Sequence, residues 1–104
     1  MARLGELTNS TIGEVIRSQE PVLVDFWASW CGRCTAFAPV LAEFAAEHDL
    51  QIRTVNADHE SGLVATYGVT GLPTLLLFDG GKVVKTLRNV ATKQELEDAL
   101  AEYL

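Results

Sequence analysis

Two cysteines stand in the segment Trp27-Ala28-Ser29-Trp30-Cys31-Gly32-Arg33-Cys34, and the chain has no others. A C-x-x-C spacing brings both sulfurs to one end of a helix when the first cysteine sits at or just before its first turn, within reach of a disulfide. Such a pair stores two electrons. The preceding run Val22-Leu23-Val24-Asp25-Phe26-Trp27 reads as a buried strand, so the motif lies on a strand-to-helix junction. Unpaired backbone N–H groups there favour an anion, and a thiolate at Cys31 is stabilised. The competing use of the pair is half of a zinc site, but zinc takes about four ligands and finger-type histidines are about three to five residues apart. Here His48 and His59 are separated by ten residues.

The 104 residues predict one domain spanning 1–104, long enough for a continuous core and too short for two. A net charge of −6 argues against nucleic acid or anionic lipid as the main partner. The start of the chain lacks the apolar core of a secretory signal and no later run has the length of a membrane span, which predicts a cytoplasmic protein. In a reducing compartment a lone C-x-x-C is more often redox-active or metal-binding than a structural staple.

The elements that must position the motif follow from local signals. A first strand is expected near Arg3 to Leu7. Thr8-Asn9-Ser10 offer caps for a helix with Ile12, Val15 and Ile16 on one face. After the strand through Trp27, a helix repeats Phe37, Val40, Leu41, Phe44 and Ala45 at helical spacing, with a kink expected at Pro39. A third strand, Gln51 to Asn56, leads to a short helix with Leu63, Val64 and Tyr67, closed by Gly68. This alternation implies parallel pairing. Thr74 to Phe78 and Lys82 to Leu87 then flank Asp79-Gly80-Gly81 as an antiparallel hairpin. The last helix opens with the capping box Thr92-Lys93-Gln94-Glu95 and directs Leu96, Ala99, Leu100, Tyr103 and Leu104 inward. The string is βαβαβαββα, an α/β fold.

Several separated signals now agree: Asp25-Phe26-Trp27-Ala28 ahead of Trp30-Cys31-Gly32-x-Cys34, Pro39 five residues beyond the second cysteine, Asn56-Ala57-Asp58, and Gly71-Leu72-Pro73-Thr74. Over essentially its whole length the chain resembles the thioredoxin family, with a Cys-Gly-Arg-Cys variant of the motif. The resemblance implies a five-stranded mixed sheet flanked by four helices, a cis peptide before Pro73, and dithiol–disulfide exchange with protein substrates. It implies Cys31 as the exposed nucleophile and Cys34 as the resolving thiol. It also implies recharging by a flavin- and NADPH-dependent thioredoxin reductase, and no cofactor of the chain's own. A monomer is the default, because the motif needs an open face for docking.

Asp25 is the one charged residue in an apolar strand, so desolvation should raise its pKa and make it a proton store. A strand-end carboxylate capping a turn is the alternative. The resemblance implies that it takes the proton from Cys34. The cis Leu72-Pro73 loop would pair with an extended substrate, although Gly-x-Pro by itself reads rather as an ordinary trans turn. Trp30, beside Cys31, offers an apolar docking surface and Gly32 is counted with it in the substrate-binding set, while Trp27 is expected to pack inside; both tryptophans read equally as core aromatics. His48 and His59 read as solvated residues at a helix end and in a loop.

The chain also departs from the family pattern. Arg33 replaces a proline; its cation, turned inward, would stabilise the Cys31 thiolate and make the disulfide more oxidising, by about 30 mV for each ~1.4 kcal/mol. Thr35 and Thr54 stand where lysines are common, which should raise the Asp25 pKa further. Arg53 should not substitute for them, since strand side chains alternate faces. Arg88 and Asn89 replace an apolar residue and a glycine near the substrate groove, and Arg33 with Arg88 would form a basic rim suited to acidic partners. The leading function is therefore a protein-disulfide reductase. The alternatives are a more oxidising oxidase or isomerase, and a binding module whose cysteines are incidental.

Overall fold

The computed structural model describes residues 4–104. Five strands form one sheet in the order β1-β3-β2-β4-β5: β1 (Gly5–Glu6), β2 (Val22–Trp27), β3 (Gln51–Asn56), β4 (Thr74–Asp79) and β5 (Lys82–Arg88). The strands reached through helices, β1, β3 and β2, pair in parallel, whereas β2–β4 and β4–β5 are antiparallel. This is the expected mixed sheet, with α1 (Gly13–Ile16), α2 (Gly32–Glu47), α3 (Ser61–Thr66) and α4 (Lys93–Ala99) around it. Of the expected first strand, Arg3 lies outside the described residues, and pairing is confined to Gly5 and Glu6.

Alternation along β2 and β4 divides the core in two, because successive side chains leave opposite faces of a strand. Val22, Val24 and Phe26 join Leu76 and Phe78 against Val15 of α1 and Leu63 of α3. Leu23, Leu75 and Leu77 meet Phe37, Leu41 and Phe44 of α2 and Leu96 and Leu100 at α4. Both strands are buried on both faces, which is why they read as continuous apolar runs.

Several local expectations are corrected. Ile12, not one of Thr8, Asn9 or Ser10, is the residue before α1, and it provides no side-chain cap. The three polar residues instead close a preceding turn, in which the amides of Thr11 and Ile12 donate to the Thr8 carbonyl. With α1 only four residues long, its buried face holds Ile12 and Val15, and Ile16 is left exposed. α4 passes into a 3₁₀ turn at Ala101–Tyr103, and that tighter winding leaves Tyr103 against the core but Leu104 exposed. His48 is not simply solvated: its ring lies 4.6 Å from that of Phe44, and Nε2 is 3.0 Å from Glu97 Oε2. Lys93 Nζ reaches Glu43 and Glu47 at 2.9 Å each, so three pairs clip α2 to α4. The capping box forms as expected, with Thr92 and Glu95 satisfying each other's backbone amides.

The β4–β5 hairpin carries the feature that matters most for the site. Asp79 pairs with Lys82 across the two-residue turn Gly80-Gly81, but the register shifts by one between Leu77 and Phe78, leaving Val84 as an extra residue. A one-residue bulge exchanges the faces of every residue beyond it. Leu87 therefore lies opposite Leu75, over α2 and α4, and Arg88 lies opposite Thr74 on the other face. Both turn glycines have positive φ, at 63° and 82°, as a two-residue hairpin turn requires. A Cβ on Gly80 would meet open space, whereas one on Gly81 would stand 2.5 Å from the Ile16 carbonyl oxygen. Gly80→Ala should therefore cost about 1 kcal/mol for the left-handed backbone. Gly81→Ala should cost about 3 kcal/mol or more, and urea unfolding of the two variants measures the difference.

Candidate active site

β2 ends at Trp27, and Ala28 to Trp30 turn the chain into α2. Cys31 is the residue before the helix, extended at φ −84° and ψ 109°, and its sulfur accepts the Cys34 amide at 3.2 Å. An otherwise unpaired donor of the first turn is thus aimed at Sγ of Cys31. The Thr35 amide and hydroxyl both donate to the Cys31 carbonyl, at 3.1 and 3.2 Å, and the Cys31 amide donates to Ala28 at 3.2 Å. Both cysteines are free thiols.

The expected exposure of Cys31 is corrected. It is 7% exposed against 6% for Cys34, because Trp27, Ala28 and Leu72 pack around the pair. The two thiols differ in place, one ahead of the helix and one within its first turn. Burial, the hydrogen bond with Cys31 and the nearby charges of Cys31 and Asp25 push the Cys34 thiol up to about 12, against the lowering effect of the Ala28 backbone contact.

Asp25 sits on the face of β2 that also carries Leu23, toward α2, opposite Leu75 and Thr54 in register. It is buried, and Oδ1 has no hydrogen-bond partner. Burial raises its pKa from the ordinary 3.8 to about 7. Thr54, its register neighbour, brings no cation to offset that. Arg53 leaves the other face, donating Nε to the Gly5 carbonyl and pairing with Glu14 of α1 at 3.4 Å, as alternation requires.

The Leu72–Pro73 peptide is cis, Pro73 is buried, and Thr74 Oγ1 donates to the Gly71 carbonyl at 2.6 Å. A cleft of 310 Å³ opens beside the cysteines, lined by Arg33, Ala36 and Phe37 of α2, by Leu72 and Pro73, and by Asn89, Val90 and Ala91 after β5. Four of the sequence-named residues thus meet there: Arg33, Leu72, Pro73 and Asn89. Trp30 stands outside it, 70% exposed, with Nε1 donating to Asp58 Oδ1 at 3.0 Å. Gly32 is exposed at the start of α2, where an added Cβ would meet nothing within 4 Å. Trp27 is half-buried against the cysteines rather than interior.

The basic rim of Arg33 and Arg88 is not assembled, because the β5 bulge turns Arg88 to the face away from α2. Asn89 occupies the left-handed region at φ 61°, where asparagine is among the few side chains tolerated in place of glycine. Sequence reading missed Asp58 as the partner of Trp30, although Asn56-Ala57-Asp58 stood out as a motif. It also missed Ala36, Phe37, Val90 and Ala91. Phe37, one turn beyond Cys34, was discoverable from helical spacing.

A paired dithiol at a helix start, above a buried carboxyl group and beside a cis-proline loop, defines a dithiol–disulfide oxidoreductase site. The thioredoxin family model matches residues 4–102. Thioredoxin from Alicyclobacillus acidocaldarius is 42% identical over 100 residues, 94% of this chain and 95% of that protein. Thioredoxin 1 of Nostoc sp. is 38% identical over the full length of both, and the chloroplastic M-type thioredoxin of Chlamydomonas reinhardtii is 36% identical over 99% of this chain and 76% of its own. The chain belongs to the thioredoxin family. Membership and the Cys31/Cys34 pair support a protein-disulfide reductase and do not favour the oxidase, isomerase or non-catalytic alternatives. Among the described residues no helix is long and apolar enough to cross a membrane.

The buried Asp25 makes stability pH-dependent with a defined sign. Its folded pKa of about 7 exceeds the ordinary 3.8, so between these values the folded state holds a proton that the unfolded state has released. Stability therefore falls as pH rises through this window, by up to about 4 kcal/mol. Urea denaturation at pH 4 and pH 8 should show this fall in the native protein, and Asp25→Asn should flatten it.

Proposed function

We propose that this chain reduces disulfides of protein substrates in the cytoplasm, acting as a monomeric single domain over residues 1–104. The observation that carries the reading is the arrangement of two free thiols at the start of α2, with the Cys34 amide on Cys31 Sγ and Asp25 buried on the facing strand.

The thiolate of Cys31, having released its proton to solvent, attacks one sulfur of the substrate disulfide. The substrate S–S bond breaks, a Cys31–substrate disulfide forms, and the first substrate sulfur leaves as a thiolate that takes up a proton. Cys34, held protonated by its high pKa, must then be deprotonated within the site. Asp25 is the base that accepts this proton. The Cys34 thiolate attacks Cys31 Sγ, the mixed disulfide breaks, and the second substrate sulfur leaves and is protonated. The substrate gains two electrons and two protons, and Cys31 and Cys34 end as a disulfide.

The substrate lies as an extended segment against the backbone at Leu72 and Pro73, a form of strand addition. Gly32 leaves its approach to the sulfurs open, Trp30 offers an exposed ring, and Arg33 and Asn89 border the cleft. A flavin- and NADPH-dependent thioredoxin reductase returns the two electrons, which makes the chain an electron carrier in redox homeostasis. A C-x-x-C pair without further cysteines suits a reducing compartment of this kind.

Equilibration in graded dithiothreitol and glutathione buffers, with thiol trapping and mass counting, tests the reading. One transition between zero and two free thiols with a reducing midpoint is the expected outcome; thiols that never pair would overturn it. Cys31→Ser should abolish reduction of a protein disulfide, whereas Cys34→Ser should accumulate the mixed disulfide. Asp25→Asn should slow resolution of the mixed disulfide by about 100-fold at pH 7 and leave the first attack nearly unchanged. Rapid-mixing kinetics separate the two steps.

A further inference from the structure

We infer that Arg33 selects substrates carrying an acidic side chain two residues from the cysteine under attack, and holds that side chain in the cleft beside Cys31 and Cys34. The inference rests on the reductase reading above. Apart from Arg33 and Asn89, every side chain lining the cleft is apolar, and Arg33 is the single charge in it. Among the described residues no ion pair or side-chain hydrogen bond engages Arg33. Its guanidinium is therefore not neutralised by its own protein.

Position ties this cation to the chemistry. Arg33 lies between the two cysteines, and Leu72 packs against the cysteine pair while also lining the cleft. A segment laid along Leu72 and Pro73 with its cysteine at Cys31 carries the cleft past the reacting sulfur. Side chains of an extended segment repeat direction every second residue, so residues two away from the substrate cysteine share its face, about 7 Å along. A carboxylate there meets a planar donor fork suited to it, beside Ala36 and Phe37.

The sign of this preference opposes that of the molecule. At a net charge of −6 the long-range field repels acidic partners, so attraction comes only from contact inside the cleft. Selection thus acts on the residue beside the disulfide, and not on the overall charge of the partner.

The test uses the full chain and a set of disulfide-linked peptides with Glu, Gln or Lys two residues to either side of the cysteine, and with the same residues one position away. Thiol release gives kcat/KM for each. At low salt the Glu peptide should exceed its Gln counterpart about three- to fivefold on at least one side, with Lys below Gln. The ratio should approach one in about 0.5 M salt, with Glu one position away, and in Arg33→Gln, and should invert in Arg33→Glu. Equal rates for Glu and Gln peptides in the native protein, or a preference unchanged in Arg33→Gln, would overturn the inference and leave the reductase reading standing. Failure to reduce any of the peptides would overturn both.

Discussion

Asp25 is a carboxyl group buried in the central strand with no cation opposite it in register, and one of its oxygens is left without a partner. Ionised, it carries an uncompensated charge in a low-dielectric interior, which raises its pKa to about 7, and it lies close to a thiol that burial also pushes up. Burial raises both groups, and the charge of Asp25 adds to the rise at Cys34. Around it the Cys34 amide donates to Cys31 Sγ, and Leu72 packs against the cysteine pair.

Holding such a group requires a rigid surround. β2 is central in the sheet, paired to β3 on one side and β4 on the other, and buried on both faces. α2, which carries both cysteines, rests on Leu23, Leu75 and Leu77 through Phe37, Leu41 and Phe44. Its far end is clipped to α4 by His48–Glu97 and by Lys93 with Glu43 and Glu47. Exposed pairs of this kind add little stability individually. Their consequence here is orientational, since α4 also packs on the strand bearing Leu75.

The bulge in β5 shows how a local irregularity sets a functional surface. With a two-residue turn and no bulge, Arg88 would point toward α2 and Leu87 away from it. The extra Val84 reverses both, which packs the half-buried Leu87 against the cluster of α2 and α4 and withdraws a second arginine from the cleft. Arg33 is left as its single charge.

Much of this was legible from residue types alone. The apolar run of β2, the Gly80-Gly81 turn, the capping box of Thr92 and Glu95, and the cysteines at a helix start are signals spanning a few residues, set by backbone preference and hydrogen-bond chemistry. The burial of Asp25 followed from its apolar neighbours in sequence. Where expectations failed, the deciding quantity was non-local. Cys31 is buried because Leu72, some forty residues on, joins Trp27 and Ala28 around the cysteine pair. His48 found Glu97 across two helices, Ile16 lost its core when α1 closed after one turn, and Asn89 took a left-handed conformation that its identity permits but does not demand. By itself the sequence determined the order of elements, the paired cysteines at a helix start and the buried carboxyl group, because those depend on spacing and composition. Only the tertiary structure decided which faces met, because one bulge in one strand reverses every side chain beyond it, and no short-range signal reports that register.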